Sequence, residues 1–403
     1  MKTSAYDTPI KPHRMFSIDI VRGLAMVFMT LDHTRDYFSS ILYSPTNLSL
    51  ASAAMFSTRW ITNFCAPAFI FLAGTASFLY KSRGRTNKEV SIFLFTRGLW
   101  IVFLEFTLVQ WGWAFSFSYN NVECQVMWAI GWSMVALACL IFLHRYLIMA
   151  ISILMIAGHN LLDGITASSW GPLAWLIEIL HVPGSFTIFD KVTVHILYPL
   201  IPWIGVMALG YAMGPLFLRE ARERKEKLLK LGIGLLLAFI VIRAINVYGD
   251  PQVWSIQKNA LYTFLSFINI MKYPPSFLFL SVNFGILFIL LSLFDKDDSF
   301  PGRGALLAFG GTPLFYYLIH LPVIHFIAVI CAYFRYGNAA WLFNNDLVFM
   351  TVTNAPNTPQ GYGYGLPVIY LVWILVVIIL YPACRLYADV KKKHPNNKLL
   401  SYI

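Results

Sequence analysis

Charge is what this 403-residue chain has least of. Asp, Glu, Lys and Arg together make up 12% of it, about half the share of an ordinary soluble domain. With 58% hydrophobic residues and a mean hydropathy of +0.65, that scarcity excludes a soluble globular enzyme, a disordered chain and a collagen-like fibre. Cysteine is sparse too. The five are scattered without Cys-x-x-Cys or Cys/His spacing, and Cys65, Cys139 and Cys331 lie inside apolar runs, which argues against a disulfide framework or a zinc site. No metal is expected. Met1 to Arg14 is polar and lacks an apolar stretch ending in a cleavage site, so the first helix is expected to insert the chain. No glycine-rich phosphate loop follows a strand, which leaves nucleotide hydrolysis unsupported. The weak alternating segments of an outer-membrane barrel are missing as well.

What is there is a succession of long apolar runs parted by short polar loops, the pattern of an all-α, polytopic membrane protein. Ten spans are expected, near 16–38, 60–80, 91–116, 125–143, 147–163, 193–217, 229–248, 273–294, 305–334 and 363–387. They read as one transmembrane domain over 1–403, with short tails at 1–14 and 388–403. Alternating sides from a cytoplasmic N-terminus puts 23 of the 30 Lys and Arg inside. Seven fall outside: Arg35, Arg59, Lys191, Arg243, Lys258, Lys272 and Arg335. The asymmetry predicts two cytoplasmic termini. It also accounts for the net charge of +11 without a nucleic-acid partner; membrane lipids are the expected surroundings. The outer loops 164–192, 249–272 and 335–362 are rich in Gly, Pro, Asn and aromatics, and some are expected to fold back as a lid or lie at the interface.

The first span is the most informative. Ionisable residues inside a membrane are costly and are functional candidates by default. Arg22 and His33 are eleven residues apart, nearly three whole turns, so they share one face about 16 Å apart along the axis. Asp19 and Asp36 approach that face from three residues before and after, with Asp32 and Arg35 flanking it. Arg22 suits the phosphates of a cytoplasmic donor. His33 suits proton transfer near neutral pH. Either Asp32 or Asp36 orients it; the spacing does not say which. The bland reading is an Asp19–Arg22 pair that holds helices together, with His33 and Asp36 in interfacial water.

These residues carry a resemblance. Ser17–Met26 (SIDIVRGLAM) and Leu31–Phe38 (LDHTRDYF) resemble the opening of the heparan-α-glucosaminide N-acetyltransferase-like membrane proteins, and more closely their bacterial relatives in domain of unknown function 1624. Asn63–Gly74, Leu197–Tyr211 and Thr312–His325 resemble the same group, so the likeness runs from the first span to the ninth. It implies a transmembrane acyltransferase that takes acetyl-CoA as co-substrate from the cytoplasmic side and passes the acetyl group to a sugar on the other. The Arg22-x10-His33 spacing is similar to that of the broader acyltransferase-3 group, in which an Arg-x-Arg pair precedes the third helix; Arg83-Gly-Arg85 stands in that place here, with Arg97 just inside the span.

Arg83, Arg85 and Arg97 are therefore candidate phosphate contacts, since guanidinium offers two donors to phosphate at once. Arg35, Arg59, Trp60 and Asn63, near the outer ends of the first two spans, are candidate acceptor contacts. His320 and His325 point about 140° apart on one helix, and His320 is the better site candidate. Pro322 between them is expected to kink or open the helix. Glu105 reads as a structural hydrogen-bonder or a cavity residue, Arg243 as a snorkelling side chain, His159 and His195 as packing or interface residues. The reading is an acetyltransferase of the bacterial inner membrane acting on an amino sugar or glycan hydroxyl. His33 serves as general base or transient acyl carrier, and a homodimer is compatible with the chain. The alternative is a secondary transporter or exporter of a sugar or lipid-linked intermediate, for which ten spans and charged helices serve equally well. A scaffold would leave the polar stripe unexplained.

Overall fold

The apolar runs fold as helices. In the computed structural model they are α1 Phe16–Phe38, α2 Ala53–Lys81, α3 Asn87–Ala114, α4 Val126–Leu140, α5 Arg145–Leu162, α6 Leu200–Leu218, α7 Ala221–Ile245, α8 Phe277–Leu293, α9 Arg303–Gly311, α10 Pro313–Tyr336 and α11 Leu366–Lys393. The structure describes residues 15–295, 299–394, 397, 400 and 402. The expected tail 1–14 and the basic residues Lys296 and Lys398 lie outside the described residues. Among the described residues, seven helices (α2, α3, α5, α6, α7, α10 and α11) are long and apolar enough to cross a membrane; α4 and α8 are apolar but shorter. The chain is a multi-pass membrane protein.

Helix ends follow local chemistry. A capping box of Thr86 and Glu89 starts α3, and Ser276 accepts from the Phe279 amide to start α8. Gly337, at φ +69°, closes α10, where a left-handed residue lets the last carbonyls find a partner. Helix α1 packs against α2, α9, α10 and α11. Its crossing with α9 is backbone against backbone. A Cβ on Gly310 would lie 1.7 Å from the Asp19 carbonyl oxygen, and one on Gly23 would lie 2.1 Å from that of Leu306. Small residues permit such approaches in membranes, and this one fixes the end of α1 that carries Asp19 and Arg22.

Several expectations are corrected. The chain is mostly helical but not wholly so: Asn121–Cys124 (β1), Gly184–Ile188 (β2) and Val192–Ile196 (β3) form a sheet of order β1-β3-β2, with β1 parallel and β2 antiparallel to β3. The expected span over 193–217 thus begins as a strand, because Val192, Thr193, Val194 and Ile196 are β-branched and Pro199 delays the helix to Leu200. Pro322 does not interrupt α10. The break falls at Thr312 instead, after the Gly310-Gly311 pair. The expected tail from 388 is helical as far as Lys393. Arg243 does not snorkel. It is 1% exposed and donates to the carbonyls of Gln252, Ser266, Phe267 and Asn269, so it ties the 249–272 loop down.

Candidate active site

Two cavities lie along α1, one on each half. The larger, about 3200 Å³, takes Asp19, Arg22 and Met26 from the first half, and the ends of α2, α3 and α11. Nine Lys and Arg line it against five Asp and Glu, so its potential is positive. Arg22 reaches across to donate to the Leu72 carbonyl at 2.9 Å and sits 3.9 Å from Asp19. Arg83 and Arg97 line the same space, as do Arg145 and Arg385. Arg85 does not. It stacks on Tyr80 and pairs with Glu89 at the surface.

The smaller cavity, about 240 Å³, gathers Asp32, His33, Arg35 and Asp36 from the second half of α1. Arg59 and Thr62 join from the start of α2. Asp32 is held by Arg35 at 2.7 Å and Arg59 at 3.1 Å, and Arg35 also bonds Asp36 at 2.9 Å. Both carboxylates are therefore committed to arginines rather than to His33. Trp60 and Asn63 line neither cavity; the Trp60 indole donates to the Ile268 carbonyl, and Asn63 is buried. Glu105 likewise faces neither cavity and accepts from the Trp128 amide.

The group that orients His33 is His320, fully buried on α10. His320 Nδ1 meets the Tyr317 carbonyl at 2.5 Å. A carbonyl only accepts, so Nδ1 carries the proton and neutral His320 presents its Nε2 lone pair. His33 Nδ1 donates to that lone pair at 2.8 Å. Neutral His33 is thereby left with its own lone pair on Nε2, the state of a general base. Trp113 packs on the His33 ring at 4.9 Å and is itself held by Gln125. As the sequence spacing predicts, His325 points elsewhere, to the Gly112 carbonyl.

Phe69, Val126 and Tyr317 line both cavities and form the partition between them. The Tyr317 hydroxyl is buried there without a hydrogen-bond partner among the described residues. Sequence reasoning missed Tyr317, although it stands three residues before His320 and so shares its face. It also missed Trp113, Glu123, Gln125, Tyr198 and Lys272, which line the smaller cavity from loops and helix ends that carry no periodic signal. Burial pushes the Glu123 carboxyl up to about 8, against the pull of its Gln125 hydrogen bond.

No curated protein matches the chain. The sequence profile of the heparan-alpha-glucosaminide N-acetyltransferase catalytic domain matches residues 14–249, the stretch from α1 to just past α7 that carries Arg22, His33, Arg59, Arg83 and Arg97. On that match over more than half its length, the chain belongs to the heparan-alpha-glucosaminide N-acetyltransferase catalytic family, a family of acetyltransferases.

Proposed function

We propose that the protein moves an acetyl group from cytoplasmic acetyl-CoA to an amino sugar, or a glycan hydroxyl, on the far side of the bacterial inner membrane. In this reading about ten helices cross, both termini are cytoplasmic, and the larger basic cavity faces the cytoplasm. The observation that carries it is the partition. A large positive cavity and a small one of single-sugar scale meet at Phe69, Val126 and Tyr317, with His33 on the small side. The small cavity lies below the roughly 300–1,000 Å³ of drug-sized sites. The larger suits a long, multiply anionic donor gripped by Arg22, Arg83 and Arg97.

The chemistry is direct transfer. The acceptor nitrogen attacks the thioester carbonyl carbon at the partition. His33 Nε2 takes the proton from that nitrogen as the new C–N bond forms. The Tyr317 hydroxyl donates to the oxygen as it becomes negative. Collapse breaks the C–S bond, and the proton on His33 passes to the departing thiolate. The Arg35 guanidinium and the Lys272 ammonium, which stands over the Tyr273 ring, line the smaller cavity and read acceptor oxygens.

The test is acetyl-CoA binding and transfer by purified, detergent-solubilised protein, with glucosamine as first acceptor and mass spectrometry of the product. The expected result is saturable acetyl-CoA binding, with transfer abolished in His33→Ala while binding persists. Folded protein that binds no acetyl-CoA overturns the proposal and favours transport, in which the same two cavities serve alternating access.

A further inference from the structure

A third constellation lies away from both cavities. Helix α5 ends in a tight turn, His159–Leu162, and Asp163 follows it. His181 closes the short helix Ala174–Leu180 and folds back onto that turn. One donor atom from each of His159, Asp163 and His181 lies within 4.8 Å of the other two. The His181 Nε2 to Asp163 Oδ1 distance is 3.4 Å, and the two imidazole centroids are 5.6 Å apart.

The histidines are 2% and 1% exposed. Among the described residues, neither ring nitrogen of His159 closes a hydrogen bond, although the Pro275 carbonyl is near, and His181 Nδ1 has no partner either. Buried polar atoms are ordinarily satisfied, and leaving such a group idle is costly. Each neutral imidazole carries one lone pair, so two buried, incompletely bonded histidines beside one carboxylate mark a place built for something that accepts lone pairs. The surrounding shell is already set. Asn160 donates to Asp163 Oδ2 at 2.8 Å, which leaves Oδ1 toward the histidines. Asn160 is itself fixed by the Phe277 amide at the start of α8. Oriented ligands with a hydrogen-bonded second layer are the usual build of a metal site.

We propose that His159, Asp163 and His181 bind a divalent transition metal. Two imidazoles and one carboxylate form a borderline donor set that best suits zinc, and solvent reaches Asp163 to supply water as a fourth ligand. A tetrahedral ion wants its donors about 3.4 Å apart, so the cluster closes by about an ångström on loading, within the range of side-chain rotation. The metal ties the end of α5 to the short helix that leads into β2 and β3. Strand β3 pairs with β1, which carries Glu123 to the smaller cavity, so the ion clamps the cap that walls this cavity. No Cys pair or His-x-x-x-His spacing announces the set; the three residues meet only in space.

The test uses the full chain, in detergent, with any affinity tag removed and after dialysis against a chelator. Cobalt titration is expected to give the visible absorption of a four-coordinate ion, saturating at one equivalent and abolished by added zinc. His181→Gln and the solvent-side variant Asp163→Asn should each weaken binding by at least about tenfold. Zinc should raise the thermal midpoint of the wild type and not of the variants. Monodisperse, folded wild type that retains no zinc after desalting and shows no cobalt band overturns the proposal. So does binding that is undiminished in Asp163→Asn, a substitution at a solvent-facing side chain that leaves the core untouched.

Discussion

Removing His320 should slow the reaction without loosening the donor. When His33 takes a proton, its Nδ1–H bond to His320 changes from a neutral to a charge-assisted hydrogen bond at 2.8 Å. A neutral bond contributes about 1 kcal/mol and a charged one about 1.5–3. The gain of about 0.5–2 kcal/mol exists only once the proton has moved, so by itself it is worth about 2- to 30-fold in kcat. Leucine at 320 also releases the tautomer, since nothing then dictates which nitrogen of His33 keeps its lone pair. We expect His320→Leu to lower kcat by about 10- to 100-fold while KM for acetyl-CoA stays within about twofold. His320→Gln is the control. Its amide oxygen can accept from His33 Nδ1, and its amide nitrogen can donate to the Tyr317 carbonyl, so the lone-pair arrangement survives. The assay is steady-state transfer with varied acetyl-CoA. Full kcat in the Leu variant, or equal losses in Leu and Gln, would refute the orienting role and leave His320 as packing.

Three further outcomes follow from the same geometry. Tyr317→Phe removes the unpaired hydroxyl in the partition and should lower kcat by about 10²–10³ with acetyl-CoA affinity retained, as single-turnover transfer and equilibrium binding can show. Arg83→Ala should weaken acetyl-CoA binding while Arg85→Ala, committed to Glu89 and Tyr80 outside the cavity, should not; calorimetric affinities that fall equally for both would contradict the cavity assignment. Glu123, held at about 8 by burial, stays protonated in the fold after its unfolded counterpart ionises near 4.5, so stability should fall as pH rises from about 5 to 8, by up to about 1.4 kcal/mol per pH unit. Glu123→Gln should flatten that slope in thermal midpoints taken across the window, and an unchanged slope would assign it to another group.

What was legible in the sequence was what a helix period can encode. Helix α1 runs from Phe16 to Phe38, the limits its apolar run and polar stripe suggest, and Arg22 and His33 do share its face. The 140° between His320 and His325 likewise separates them in space, one to His33 and one to Gly112. What was illegible was each decision made across space. Asp32 is next to His33 in sequence and Asp36 three residues on, yet both are claimed by Arg35, and Asp32 also by Arg59 from another helix. The proton on His33 is placed by a residue 287 positions away. Strand β3 hid for a different reason: four half-buried residues and the buried Ile196, β-branched but for His195, run on toward an apolar helix, and a hydropathy window merges the two. The corrections share a direction. Both aspartates that seemed free to serve His33 are consumed in holding the arginines of the smaller cavity, so in the proposed reaction the base is tuned by a neutral partner. A neutral imidazole, backed by a carbonyl, fixes a tautomer without adding charge to the site that the proposed transfer would carry an uncharged acetyl group across.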